Sequence, residues 1–208
     1  MTTKLDLRKQ WKRLYAPSAS KVEMVDVPEF QFIMVDGKIE AGAAPDTSPT
    51  FHAALEALYG ASYTLKFMSK SRQENPVDYT VMALEGLWWT VKGEFSFERK
   101  DDWQWTLMMM QPEHITDEMF QDARRQLRQK KDNPAIAGLR LGRFREGLCV
   151  QTLHVGPYSD ELRTISKMTA FAQETGHRLH GKHHEIYVGD PRRARPDALK
   201  TILRHPIE

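Results

Sequence analysis

A chain of 208 residues, 40% hydrophobic and 28% charged, has the composition of a globular protein able to bury a core as one domain or as two packed halves. Its 30 Lys and Arg against 28 Asp and Glu leave a formal charge of +2, which exerts no general pull on nucleic acid or acidic membranes. Apolar runs such as Leu107-Met-Met-Met110 are far too short to span a bilayer, and Met1-Thr-Thr-Lys-Leu-Asp6 lacks the apolar stretch of a signal peptide, so the expected compartment is the cytoplasm.

The first twenty residues set Lys4, Arg8, Lys9, Lys12 and Arg13 around Leu5, Leu7, Trp11 and Leu14, and read as a basic helix or arm ending at Pro17. Val22 to Val27 and Glu29 to Val35 carry β-branched and aromatic residues bounded by Pro28 and Gly37, which predicts strand. Residues 38 to 49 carry Gly42, Pro45 and Pro49 and read as loop. Phe51, Ala54, Leu55 and Leu58 then recur at helical spacing and place one apolar stripe against a sheet. Strands are expected at Tyr63 to Met68 and Tyr79 to Leu84, and Trp88 to Phe97 should pair with Trp103 to Met110 as a hairpin. Trp103, Trp105, Leu107 and Met109 share one face of that second arm, because strand side chains alternate.

Thr116 is placed to cap a helix whose first turn carries Asp117 and Glu118, with Ile115, Met119, Ala123 and Leu127 as its buried stripe. This helix reads as a crossover over about 116–132 between two copies of one unit, about 21–112 and about 138–208, within a single domain of 21–208. The second copy runs from strand Gly147 to His154 through the turn Gly156-Pro-Tyr158 into a helix carrying Leu162, Ile165, Met168 or Thr169, and Ala172. Ser159 is its expected cap, and Gly176 its stop. His183 to Val188 reads as the final strand, and Arg195-Pro196 as the start of a short last helix through Leu203.

Along a strand, His183, Glu185 and Tyr187 point one way, and His184 and Ile186 the other. Glu85, Trp88 and Trp89 of the first copy are expected to face Glu185 and Tyr187 from the opposite side of a shared cleft. A carboxylate walled by aromatic rings suits two tasks: holding an apolar cation by charge and ring quadrupole, or acting as a general acid or base at raised pKa. The structural alternative pairs Glu185 with Arg192 or Arg193 and leaves the rings as ordinary core. The histidines at 177, 180, 183 and 184 match no metal-ligand spacing, so no metal and no cofactor is expected. Arg192, Arg193, Arg195, Lys200 and Arg204 are interrupted by acids and a proline and read as a solvated face rather than a nucleic-acid grip. Cys149, the only cysteine, excludes an internal disulfide and reads as a buried inert thiol; Met108 to Met110 read as core filler.

Several of these stretches carry a resemblance in combination. His154-Val-Gly-Pro-Tyr158 with the acidic start of the next helix, Gly181-Lys-His-His-Glu-Ile-Tyr187, Asp190-Pro-Arg-Arg193, Thr201-Ile-Leu-Arg-His-Pro206 and Leu84-Glu-Gly-Leu-Trp-Trp89 together resemble the stand-alone branch of the GyrI-like small-molecule-binding superfamily. The resemblance runs from about residue 20 to the end. It implies an α+β fold of two pseudo-symmetric βαββ modules, an antiparallel sheet with helices on one face and a ligand cleft between the modules. It also implies kinship to the effector-binding domains of multidrug-sensing regulators, which hold bulky aromatic cations over an acidic residue matching Glu185 here. The helix-turn-helix that those regulators place before the module has no counterpart, so direct DNA control is not expected. Some stand-alone members resembling this chain hydrolyse cyclopropane-bearing DNA-alkylating compounds. In that chemistry Glu185 would position or activate water, and Tyr158 or Tyr187 would polarise the substrate carbonyl.

The expectation is a monomeric pseudo-dimer, or weak homodimer, that binds a flat, apolar, aromatic small molecule, cationic or neutral, between Glu185, Tyr158, Tyr187, Trp88, Trp89, Glu85 and His183. The runner-up is a cofactor-independent hydrolase using the same cleft, with a nucleic-acid-binding regulator well behind. Neither nucleic acid nor membrane is an expected partner.

Overall fold

The structure is a computed structural model and describes residues 3–90, 103–189 and 194–208. The chain begins with strand β1 (Thr3–Leu5) and two single helical turns, α1 (Leu7–Gln10) and α2 (Lys12–Tyr15). Then come β2 (Glu23–Lys38), α3 (Pro49–Lys70), β3 (Val77–Tyr79), β4 (Leu84–Thr90) and β5 (Trp103–Met110). Helix α4 (Asp117–Lys130) leads to β6 (Arg140–Val155), α5 (Glu161–Glu174), β7 (His183–Tyr187) and β8 (Lys200–Pro206). Leaving aside the short β3, which pairs in parallel with β1, each half runs β-α-β-β.

Six antiparallel strands close into a barrel in the order β2-β5-β4-β7-β8-β6. The halves join along two seams, β2 with β6 and β4 with β7. Alternation sorts the side chains into two sets. Phe32, Leu87, Met108, Cys149, Ile186 and Ile202, one from each strand, pack together as the barrel interior, and Leu7, Leu14 and Tyr15 of the N-terminal segment pack onto them. The other set meets the helices. Ile33, Val35, Trp88, Trp105, Leu107 and Met109 pack against α3 and α4, and Val150 and Leu203 against Met168 and Ala172 of α5. The expected α+β architecture, an antiparallel sheet with helices on its outer face, is what forms.

Pro28 falls inside β2 rather than between two strands, and the alternation of both seam strands switches phase there. Val25 and Val27 face inward before it and Phe30, Phe32 and Met34 after it, while Gly147 on the partner strand takes φ +79°. That switch turns Glu146, whose side chain is 2% exposed, toward the interior, together with Cys149 three residues on.

Four sequence expectations change. Tyr63 to Met68 is not a strand but the end of α3: Ala54, Ala57, Leu58, Ala61 and Leu65 extend one buried stripe through it. Tyr79 to Leu84 divides between the end of β3 and the start of β4. The segment from Lys200 to Pro206 is strand β8, favoured by Thr201 and Ile202, and only Pro196–Ala198 forms a helical turn before it. Ser159 does not cap α5; its hydroxyl donates to Asp160 Oδ1 at 3.1 Å, and a helical turn over Tyr158–Asp160 precedes the helix. Thr116 does cap α4, accepting from the Met119 amide at 3.2 Å. The expected partner of Trp103 to Met110 is found, but as β4 from Leu84 to Thr90, with Trp88 opposite Trp105 and Thr90 opposite Trp103. Residues 91 to 102, which include the rest of the expected first arm, lie outside the described residues, as do Asp190 to Arg193. No described helix is long and apolar enough to cross a membrane.

Candidate functional site

The β4–β7 seam brings the first predicted residues together. Gly86 lies opposite Glu185, and Trp88 opposite His183, so Trp88, His183, Glu185 and Tyr187 all face the helices. Gly86 is required there: a Cβ would stand 2.8 Å from Trp88 Nε1 and 3.2 Å from the Tyr187 hydroxyl. In the space it leaves, Trp88 Nε1 donates to the Tyr187 hydroxyl at 3.1 Å. Tyr187 in turn hydrogen-bonds Glu185; burial, then the Glu185 charge and that bond, hold its phenol well above the ordinary value, so it stays protonated. His183 Nε2 lies 3.3 Å from Glu185 Oε1, with both side chains buried.

Trp88 is also the centre of an aromatic wall. Phe51 of α3 stacks on it at 5.6 Å, and Trp103 meets it edge-on at 5.3 Å. On the other side the half-exposed Tyr158 sets its ring edge-on to Tyr187 at 6.0 Å. His154, in the strand before it, does not reach Glu185. Its Nδ1 pairs with Thr164 Oγ1 at 2.8 Å and its Nε2 with the Pro157 carbonyl at 3.2 Å, which pins the turn through Gly156 to the start of α5. Gly156 at φ +139° accommodates that turn, and a Cβ at this position would stand 3.4 Å from Nε2 of the same imidazole.

The residue that sequence reasoning missed is Glu161. Read from the sequence only as part of the acidic start of that helix, it is 1% exposed, whereas Leu162, the expected core residue, is half-exposed. The buried stripe on α5 is Glu161, Met168 and Ala172: the last two are as expected, and at the start of the helix Glu161 rather than Leu162 turns inward; carrying the Met168 and Ala172 spacing back seven and eleven residues finds it. Glu161, His183 and Glu185 each offer an atom within 4.8 Å of the others. Glu161 hydrogen-bonds Thr201 through one oxygen, and its Oε1 is buried with no hydrogen-bond partner among the described residues. Burial, then the neighbouring Glu185 charge, push the Glu161 carboxyl up to about 10, so at neutral pH it carries a proton.

Two predicted members lie elsewhere. Glu85 pairs with Ile186, one step out of register with Glu185, so it points into the barrel. There it accepts from Tyr15 at 2.8 Å and contacts His184 Nε2 at 3.1 Å. Trp89 follows it to the inner side and lies under Lys182, whose Nζ is 3.4 Å from the ring centroid. Arg204, expected on a solvated face, is 1% exposed inside the barrel. Cys149 is buried and its thiol is pushed up by burial and then by Glu146, as suits an inert group. The suggested partners Arg192 and Arg193 are outside the described residues. A groove of about 690 Å³ is lined by Lys21, His154, Asp160 and Arg163, and its lining includes none of Trp88, Glu161, His183, Glu185 and Tyr187.

This arrangement supplies a proton donor, an adjacent carboxylate and two tyrosines beside apolar rings. The same three donors, Glu161, His183 and Glu185, are the one described group able to hold a metal ion. A proton on Glu161 competes for that place.

Comparison with known proteins agrees with the fold. A crystal structure of an uncharacterized conserved protein from Listeria innocua shares 40% identity, with TM-score 0.89 over 98% of this chain and 100% of that one. A crystal structure of a hydrolase from Listeria innocua shares 37% identity, with TM-score 0.83 and the same coverage. The C-terminal domain of EcmrR, at 9% identity and TM-score 0.53 over 90% of this chain and 97% of that one, shares the fold alone. No curated protein matches the chain. The model of the GyrI-like small molecule binding domain matches residues 20–208, and with it the chain belongs to the GyrI-like small-molecule-binding family.

Proposed function

We propose that the chain is a cofactor-independent hydrolase that adds water to a strained, electrophilic, largely apolar small molecule, of the cyclopropane-bearing alkylating class. One observation carries this reading: two buried carboxyl groups on the outer side of the seam, with Glu161 held protonated beside Glu185. Such a split pair provides acid and base at one pH. The 37% identity to a hydrolase from Listeria innocua along essentially the whole chain supports it.

In this mechanism Glu185 takes a proton from a water molecule as its oxygen attacks a carbon of the three-membered ring. The ring C–C bond breaks, its electron pair moves through the conjugated system to the carbonyl oxygen, and that oxygen takes the Glu161 proton. Tyr158 donates a hydrogen bond to the same oxygen as charge develops, while Tyr187 keeps its hydrogen bond to Glu185 and orients that carboxylate toward the water. Proton transfer from Glu185 back to Glu161 restores the pair, and the net change is one water added. Trp88 and Phe51 supply the stacking surface for a flat substrate.

The same carboxylate and rings also suit retention of an apolar cation without chemistry, for sensing or sequestration. Mass spectrometry separates the two readings. A cyclopropane-bearing spirodienone incubated with the protein should gain one water with many turnovers per chain, and a compound recovered intact from a tight complex would establish the binder.

A further inference from the structure

Directly beneath Glu185, on the inner side of the same strand, lies a second set of buried ionisable groups that the proposed reaction does not use. His184 Nδ1 stands 3.0 Å from both oxygens of Glu146, and its Nε2 3.1 Å from Glu85. Acceptors at both nitrogens require hydrogen on both, which makes the ring an imidazolium. Burial alone would discharge it, but Glu146 and Glu85 outweigh burial and raise the group to about 9. Arg204 lies 3.3 Å from Glu146, so two positive groups stand against two carboxylates in formal balance. Cys149 is alongside and neutral.

The set is tied to the N-terminal segment. Tyr15 donates to Glu85 at 2.8 Å, Arg204 Nη2 to the Leu14 carbonyl at 2.8 Å, and Gln151 Nε2 to the Arg13 carbonyl at 2.8 Å. On the outer side, the groups facing Glu185 are Glu161 of α5, His183 and Tyr187 of β7 and Trp88 of β4, with His205 of β8 at 6.0 Å from His183 between ring centroids. His184 is the chain neighbour of both His183 and Glu185, only about 3.8 Å away between Cα atoms, so what holds His184 holds them.

We propose that Tyr15, Glu85 and His184 are positioning residues for the outer carboxyl pair: they pin β7 from inside the barrel and set the charge felt by Glu185 and Glu161 through the strand, which makes the N-terminal segment part of the site. The inference rests on the reading of Glu161 and Glu185 as acid and base.

The test is a carboxyl ¹³C NMR titration of the full chain, with Glu161 and Glu185 assigned from their Gln variants, alongside turnover of a spirodienone probe. Glu85→Gln leaves an uncompensated positive charge in the barrel and should move the Glu161 titration down by about one pH unit. Tyr15→Phe keeps the packing but removes a donor from Glu85. It should shift the titration slightly upward and cut kcat several-fold with KM unchanged. A folded Glu85→Gln with an unmoved titration overturns the inference. If that variant does not fold, Tyr15→Phe decides, and wild-type titration would overturn it. A moved titration in a protein without turnover sinks the hydrolase reading and leaves the positioning in place; robust turnover with an unmoved titration does the reverse.

Discussion

Glu161 at the start of α5 and Glu185 in the middle of β7 meet on the outer side of the sheet, and burial with the neighbouring Glu185 charge raises the Glu161 carboxyl far above its ordinary value. Holding a carboxyl in this state has a stability consequence with a definite sign. The folded pKa is raised above the ordinary 4.5, so the folded chain binds the proton more tightly than the unfolded one. Its stability therefore falls as pH rises from about 4.5 toward about 10, by at most about 1.4 kcal/mol per unit. Glu161→Gln removes that dependence. The variant should melt higher than wild type at pH 8, by less at pH 5, and lose turnover; thermal melts at the two pH values check it, and an equal gap at both contradicts it.

The inner ion group predicts a different response. His184 is raised from 6.5 to about 9, so its contribution is complete below pH 6.5 and is lost as pH rises through about 9. Replacing Arg204 by Met leaves Glu146 buried without its second cation and should cost about 3–5 kcal/mol in urea unfolding at pH 7. A loss under about 1 kcal/mol would show that Arg204 is replaceable.

Gly86→Ala places a methyl against both Trp88 Nε1 and the Tyr187 hydroxyl. Overpacking of this kind costs about 1–3 kcal/mol. The hydrogen bond between them should break, and kcat for the spirodienone should fall about tenfold, as a misplaced catalytic group does. Unchanged kcat in the folded variant would take Tyr187 out of the mechanism.

How much of this was legible in the sequence follows from what each signal measures. Alternation along His183 to Tyr187 separated Glu185 from His184, and glycine and helical spacing marked a strand, a helix and a further strand in each half, while β8 was read as helix. Alternation within one strand says nothing about register against the next, so Glu85 and Trp89 were assigned to the outer side although the pairing turns both inward. The end of α3 was misread because Tyr63, Phe67 and Thr64 have strand propensity, and packing of Ala61 and Leu65 overrides it. Glu161 was hidden by its type: a glutamate in a first helical turn ordinarily faces water, and only the phase of Met168 and Ala172 reveals that this one does not.

A metal at Glu161, His183 and Glu185 would displace the proton that the mechanism requires. Elemental analysis of the purified protein should find no stoichiometric metal, and turnover should survive exhaustive chelation. About one zinc per chain, lost together with activity, would replace the acid–base pair by a metal-assisted one.

The central claim is that Glu185 acts on water. Glu185→Gln, first shown to be folded, should bind the spirodienone with affinity within a few-fold of wild type, because the lost interaction belongs to the transition state. The deciding measurement is mass-spectrometric turnover of that variant against wild type. The account predicts multiple turnovers to the water adduct by wild type and none detectable by the variant; equal rates would show that Glu185 is not the base and contradict it.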